Sequence, residues 1–201
     1  MGYILDPNEF VQPFVGNDFA SAKKKVLVLG ESNYTDRGRL DTDHLIKMTK
    51  KYADPEDTFT YKFWTNIMQT LTQTHKSGMS SGEVQAFWDS IVLHDYVCDR
   101  HERRMRDPIP EEVWRKSRQP FLNILRIYKL DRIVIFSKSA LRDIRQIKEV
   151  YLTNEKEEHV GIRKIVSTFD ISTDGINVIP VIALPHPSWF FYYKHFSKFF
   201  Q

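Results

Sequence analysis

The stretch VLVLGESNY, residues 26–34, begins as an apolar strand and ends in a polar turn. Its first four residues are all valine or leucine, which is typical of a strand buried on both faces of a parallel sheet. Gly30 then permits a tight turn, and the polar residues that follow can face a ligand. Because ligands of such sheets bind beyond the carboxyl ends of the strands, functional residues are expected directly after each strand.

Three later segments share this apolar character, at residues 91–93, 133–136 and 178–184. Helical spacing of large apolar residues predicts an amphipathic helix over 60–72, and further helices are predicted from Pro110 onward, where Pro120 kinks or divides the element, and over 139–150. Strands that alternate with helices predict the α/β class. We expect a three-layer α/β/α sandwich around a central, mainly four-stranded parallel sheet.

The rest of the chain gives weaker signals. The acidic segment 153–159 is predicted to be a loop, 162–171 an additional strand or an irregular excursion, and 189–200 an aromatic-rich terminal helix. No internal repeat or linker interrupts the sequence, so residues 1–201 are predicted to form a single domain.

Composition restricts the function classes. Cys98 is the only cysteine, so an intrachain disulfide and four-cysteine metal sites are excluded. No apolar stretch has the length of a signal peptide core or a membrane span. We expect a cytoplasmic monomer without metal, cofactor or membrane association.

The charge pattern is compatible with nucleic acid as a partner. The net charge is +3, with a pI near 8.8. Residues 23–25 are three lysines, and a longer basic stretch contains Arg100, His101, Arg103, Arg104, Arg106, Arg115, Lys116 and Arg118. Such a stretch can track phosphates. The alternative is an ordinary solvated surface, because acidic residues are interleaved with these cations.

A second polar motif follows the last predicted strand. It reads Pro185-His186-Pro187-Ser188-Trp189. Two prolines restrict the backbone around the histidine, and Ser188 could cap a following helix. Taken alone, a structurally hydrogen-bonded His186 is the simpler interpretation.

Together and in this order, the two motifs resemble those of the uracil-DNA glycosylase superfamily. That family has a motif of the GQDPY, GEAPG or GINPG type after its first core strand and a motif beginning HPS after its last. Gly30, Glu31 and Tyr34 match family variants, and residues 186–188 match HPS fully. Residues 89–97 look like the family strand that ends in a base-reading asparagine. The resemblance covers residues 25–191.

The resemblance implies hydrolysis of the N-glycosidic bond of uracil or a related base that is flipped out of DNA. His186 would donate a hydrogen bond to the departing base. Ser32 stands at the position of the family's catalytic aspartate and cannot replace it as a base, so Asn33 or the loop backbone would position the water. Glu31 is the only carboxylate in the motif, and Tyr34 would form a wall of the pocket.

The base-reading position also departs from the family. One alignment puts Asp95 there and another puts His94 there. An ionised carboxylate cannot donate to a uracil carbonyl, so Asp95 would suit a base edge rich in donors or would itself be protonated. Alternatively, Asp95 pairs with a nearby arginine and shapes the loop. Ser137, after the third predicted strand, replaces a glycine common in the family.

Further residues are candidates for contacts to base and DNA. Tyr61 and Phe63 could stack on the base, whereas Ser188, Trp189, Arg103, Arg104 and Arg106 would contact DNA. Trp189 opens an aromatic run that the resemblance places in the loop that enters the duplex. From Tyr192 onward the run is predicted to be helix core.

Two other hypotheses stay open. The chain could be an inactive member of the same fold that binds a base, nucleotide or nucleic acid. Ser32 could instead be the nucleophile of a serine hydrolase, but Ala183 occupies the position three residues before His186 where those enzymes have aspartate. No G-x-G-x-x-G motif follows a strand, which argues against a dinucleotide site.

Overall fold

The computed structural model describes residues 4–34, 38–54, 56, 61–101, 107–160, 164–187 and 191–200. Its centre is one seven-stranded mixed sheet in the order β1-β3-β2-β4-β7-β6-β5. The strands are β1 Phe14–Val15, β2 Val26–Ser32, β3 Ile91–Val97, β4 Arg132–Ile135, β5 Tyr151–Val160, β6 Lys164–Ser172 and β7 Ile179–Ala183.

The four central strands β3, β2, β4 and β7 pair in parallel. The other three strands join antiparallel, β1 on one edge and the β6–β5 hairpin on the other. The predicted α/β class is confirmed, but the sheet is larger than the mainly four-stranded one expected.

Helices pack on both faces of the sheet. The α-helices are α1 His44–Ala53, α2 Lys62–Thr72, α3 Ser81–Asp89, α4 Glu111–Ile127 and α5 Lys138–Ile144, and short 3-10 helices lie at Phe19–Ser21, Lys76–Gly78 and Tyr193–Phe199. Side chains of β2 alternate between two buried clusters: Leu27 and Leu29 pack with α4 and α5, whereas Val28 packs with α1, α2 and α3. This alternation is what a strand covered on both faces requires.

Three sequence predictions are corrected. The acidic segment at 153–159 is not a loop but lies within β5. It tolerates polar residues because it is an edge strand that is exposed along most of its length and pairs with β6 in a hairpin. Pro120 does not divide α4, which is one helix with the proline buried inside it. Near the C-terminus, the only helical segment in the described residues is the 3-10 helix Tyr193–Phe199, in which Tyr193 and Phe196 are buried; Tyr192 before it is exposed.

No helix in the described ranges is long and apolar enough to cross a membrane.

Candidate functional site

The carboxyl ends of β2 and β3 bring two predicted residues into contact. Gly30 and Asp95 are partners in the parallel register of these strands. A Cβ atom added to Gly30 would lie 2.1 Å from Oδ1 of Asp95 and 3.1 Å from Cζ of Phe63. Only glycine leaves room there, so the family-like glycine has a local reason in this chain: it makes space for a carboxyl group and an aromatic ring.

Asn33 completes this contact from the turn after β2. Its Nδ2 donates to Oδ2 of Asp95 over 2.5 Å. Asp95 is 4% exposed, and its pKa is raised to about 7 by burial and by the negative charge of Glu31, against the opposing effect of the hydrogen bond from Asn33. Near neutral pH the carboxyl group can therefore serve either as a donor or as an acceptor.

The structure places Asp95 and His94 on opposite faces of the sheet. Successive side chains of a strand point to opposite faces, so Asp95 lies on the side of Phe63 while His94 lies with Val92 and Tyr96 on the side of α4. His94 is 1% exposed, and within the described residues neither ring nitrogen has a hydrogen-bond partner. Burial lowers its pKa to about 3, so the ring is neutral. His94 is not brought to the site.

His186 reaches the same place from the end of β7. Its ring centroid lies 5.9 Å from that of Phe63, with the planes tilted by 37°. The side chain is accessible to solvent, yet enough protein surrounds the ring that desolvation lowers its pKa, while Glu31 acts in the opposite direction. Phe63 thus lies close to both motifs, next to Gly30 in the first and to His186 in the second.

Asn66, which sequence analysis missed, binds the second motif. Its Nδ2 donates a short hydrogen bond to the backbone carbonyl of Pro187, 121 residues away in the chain. Asn66 follows Phe63 by three residues, so both side chains lie on one face of α2. The available signal was this spacing, but nothing in the sequence indicates the distant partner.

Glu31 is held on the opposite side of β2. The hydroxyl of Ser137 donates to Oε2 of Glu31 over 2.5 Å and also accepts from the backbone N–H of Ala140, which caps α5. Ser137 therefore has a local role: it orients the carboxylate of the first motif. Glu31 still influences both Asp95 and His186 electrostatically.

The remaining residues of the first motif have local roles. The Ser32 hydroxyl donates to the backbone carbonyl of Asn33 at 3.0 Å, a turn contact rather than the activation a nucleophile needs. Tyr34 is half-buried at the end of the described segment. The predicted DNA contacts Ser188, Trp189, Arg103, Arg104 and Arg106 lie outside the described residues.

The pairing of Asp95 with a nearby arginine stays a prediction, because Arg103, Arg104 and Arg106 lie outside the described residues. The hydrogen bond recorded for the Asp95 carboxylate comes from Asn33, and Arg100 donates instead to the backbone carbonyls of Leu40 and Pro7. Arg118, farther along, forms a two-point contact with Asp143 on α5, at 2.7 and 3.0 Å. Both arginines thus hold the scaffold.

Other features lie apart from this site. A cavity of about 340 Å³ opens at the amino ends of β2, β3 and β4, where Lys24, Arg132 and Phe200 are among its walls. It lies at the edge of the sheet opposite to Asp95 and His186. In the described part of the chain, no cluster of three or more His, Cys, Asp or Glu side chains could hold a metal ion.

Asp95, Asn33, Phe63 and His186 therefore converge from three strand ends and one helix. The set combines a flat aromatic wall, a neutral imidazole and a carboxyl group that changes its hydrogen-bonding character near pH 7. Such a set suits a planar heterocycle with polar edges. No family model and no curated protein sequence matches the chain.

Proposed function

We propose that this site binds a nucleobase and that the chain is a DNA glycosylase-like hydrolase, which cleaves the N-glycosidic bond of uracil or a related damaged base in DNA. The proposal includes a uracil-DNA glycosylase-like arrangement of the central strands. The observation that carries it is the convergence of the Asp95–Asn33 pair and of His186 around Phe63. These residues come from separate parts of the chain, and two of them, Asn33 and His186, belong to the two sequence motifs.

In the proposed reaction, a water oxygen bonds to C1′ of the sugar as the bond from C1′ to the base nitrogen breaks. The bonding electrons leave with the base, and His186 stabilises the resulting negative charge by donating an N–H. A lowered pKa suits this task, since a neutral imidazole can donate without first being protonated. A proton from the water ends on the departing base, so no cofactor is required.

Asn33 has a double role in this proposal. Its Nδ2 is engaged with Asp95, which fixes the amide plane, and its Oδ1 can accept a hydrogen bond from the attacking water. Asp95 reads the base edge. As a neutral acid it donates to a carbonyl, as uracil offers; as a carboxylate it accepts from an exocyclic amine.

Activity on oligonucleotides tests the proposal. Single- and double-stranded DNA that contains uracil, hypoxanthine or xanthine is incubated with the protein, and abasic product is measured after alkaline cleavage. We expect abasic product with at least one base. In His186→Ala the rate of product formation should fall about 100- to 1000-fold, the usual effect of removing one hydrogen-bond donor to a developing charge. His195→Ala, which changes an exposed histidine nearby, is the matched control. Absence of product from the wild-type protein with every base would overturn the enzymatic proposal.

A second candidate function is base or nucleotide binding without turnover. It is favoured by the hydrogen bond between Ser137 and Glu31, because this contact occupies an oxygen of the only carboxylate in the first motif. Binding to the same oligonucleotides without abasic product, weakened by Asp95→Ala, is the result expected from this candidate.

A further inference from the structure

We propose that Asn66 is a positioning residue, which sets the place of His186 by holding the Pro187 carbonyl against α2. The expected effect of Asn66 on kcat rests on the proposed function, whereas its effect on the position of His186 does not. The contact itself involves neither the substrate nor either sequence motif's side chains.

The first part of the argument is that α2 is a rigid support. Ile67 and Met68 on its inner face are fully buried. The indole N–H of Trp64 donates to the hydroxyl of Thr49 at 3.1 Å, and the hydroxyl of Tyr52 donates to that of Thr65 at 2.9 Å, which ties α2 to α1 at two points. A group attached to such a helix has little freedom to move.

The second part is that the turn after β7 needs such a support. A histidine between two prolines has fewer backbone hydrogen bonds to hold it, because proline lacks the N–H. Asn66 contacts the residue directly after His186, and Phe63, one turn earlier on the same face, packs against the imidazole. Backbone and ring are therefore both fixed by α2, and the same Phe63 ring lies beside Asp95.

The consequence is a fixed separation between the imidazole and the Asp95–Asn33 pair. Loss of the donor on Asn66 frees the Pro187 carbonyl, so the turn relaxes and His186 becomes better hydrated. Its pKa then rises toward the ordinary value of 6.5. A base held by Asp95 would still bind, but the donor would no longer meet the developing charge.

An NMR titration tests the positioning directly, without any substrate. The full chain is labelled with ¹⁵N-histidine, and the His186 signals are assigned by their loss in His186→Ala. In Asn66→Ala we expect the His186 pKa to rise, whereas Asn123→Ala, which removes a hydrogen-bonded amide from α4, leaves it unchanged. Asn66→Leu, which keeps the volume and lacks the donor, is measured as well, so that a poorly folded alanine variant does not decide the result.

Kinetics gives the second readout. With an active base as substrate, we expect kcat to fall about 10- to 100-fold in both Asn66 variants with KM little changed, because a displacement near 1 Å can cost that much. An unchanged His186 titration in folded Asn66→Leu would overturn the inference. If the wild-type protein forms no abasic product, the proposed function fails, but the titration still decides the role of Asn66.

Discussion

His94 and Asp95 are neighbours in β3 and are equally hidden from solvent, but they lie on opposite faces of the sheet. On the α4 side, His94 stays neutral in apolar surroundings, and its pKa falls to about 3. On the α2 side, Asp95 accepts a hydrogen bond from Asn33, and its pKa rises to about 7 because of burial and the charge of Glu31 from the other face of β2. Burial disfavours the charged form in both cases. The two faces differ in what surrounds the buried group.

That difference separates a structural face from a candidate functional one. On the α4 and α5 side, the carboxylate of Asp143 is fully used by Arg118 and by the hydroxyl of Tyr96, which donates at 2.5 Å. On the α2 side, the carboxyl group of Asp95 changes its protonation state near neutral pH, and the pKa of His186 depends on how far its ring is desolvated. Substitutions on the first face should alter stability, and those on the second should alter recognition.

The largest effect is expected from Arg118→Leu. The substitution removes the cation that pairs with the buried carboxylate of Asp143. Arg118 itself is partly exposed, so we expect the free energy of unfolding to fall by about 3 kcal/mol, at the lower end for a broken buried pair. Urea denaturation measures this change. Arg126→Leu, at an exposed position of the same helix, is the control. A loss below about 1 kcal/mol would mean that the contact is not a main support of this face.

Gly30→Ala tests the other face. The added methyl group meets Oδ1 of Asp95 at 2.1 Å, so the carboxyl group or the strand end must shift, and we expect a loss of about 2 kcal/mol together with weaker base binding. The control is Gly82→Ala in α3, where a Cβ atom meets nothing within 4 Å and should stabilise the helix slightly. An equal change in the free energy of unfolding of the two variants would contradict a close contact between Gly30 and the Asp95 carboxyl group.

His94→Leu should change how stability depends on pH. In the unfolded chain the histidine gains a proton below its ordinary pKa of 6.5, whereas the folded state resists this until about pH 3. Acidification through this window therefore favours the unfolded wild-type chain, by at most about 1.4 kcal/mol per pH unit for one group. His94→Leu should lack this part of the slope. Urea titrations between pH 4 and 7 measure the difference.

Asp95→Asn should change the pH dependence of stability in the opposite direction, over a slightly narrower pH range. The folded wild-type protein keeps the Asp95 proton up to about pH 7, whereas the unfolded chain loses it near 3.8, so wild-type stability decreases as pH rises between these values. The variant should lack that decrease. Urea denaturation of both proteins at pH 5 and 8 measures it.

The same variant tests base recognition. An asparagine amide donates at every pH, so uracil binding or excision by Asp95→Asn should stay level above pH 7, where the wild-type protein should weaken. If binding or excision of uracil in DNA by the wild-type protein does not change between pH 6 and 8, the assignment of Asp95 as a base-reading group is contradicted.

Apolar runs made the four central strands predictable, because a strand buried on both faces favours apolar residues along most of its length. The edge strand β5 was mispredicted for the converse reason: its exposed faces accept acidic residues, and its hairpin pairing with β6 holds it. The start of α3 could have been predicted from the sequence, because Ser80 and Glu83 have the spacing of a capping box and form one in the structure, but it was missed.

The site was predictable only in part. The two motifs pointed to Asn33 and His186, because residues after parallel strands meet at one edge, and the middle strand offered Asp95 and His94 as alternatives. The choice between His94 and Asp95 depends on which face each side chain occupies, and the contact of Asn66 with Pro187 depends on the docking of α2. Both are results of tertiary packing, which the local sequence does not encode.

The two edges of the sheet have a consequence for self-association. An unpaired strand edge is a template on which other chains can add strands. Here one outer strand, β1, has only two residues, and the other, β5, carries Glu155, Lys156, Glu157 and Glu158 in succession. Adding a further strand beside β5 would bring these charges against a second backbone and strip them of water. The charged hairpin thus protects a sheet with a strongly apolar centre from growing into aggregates.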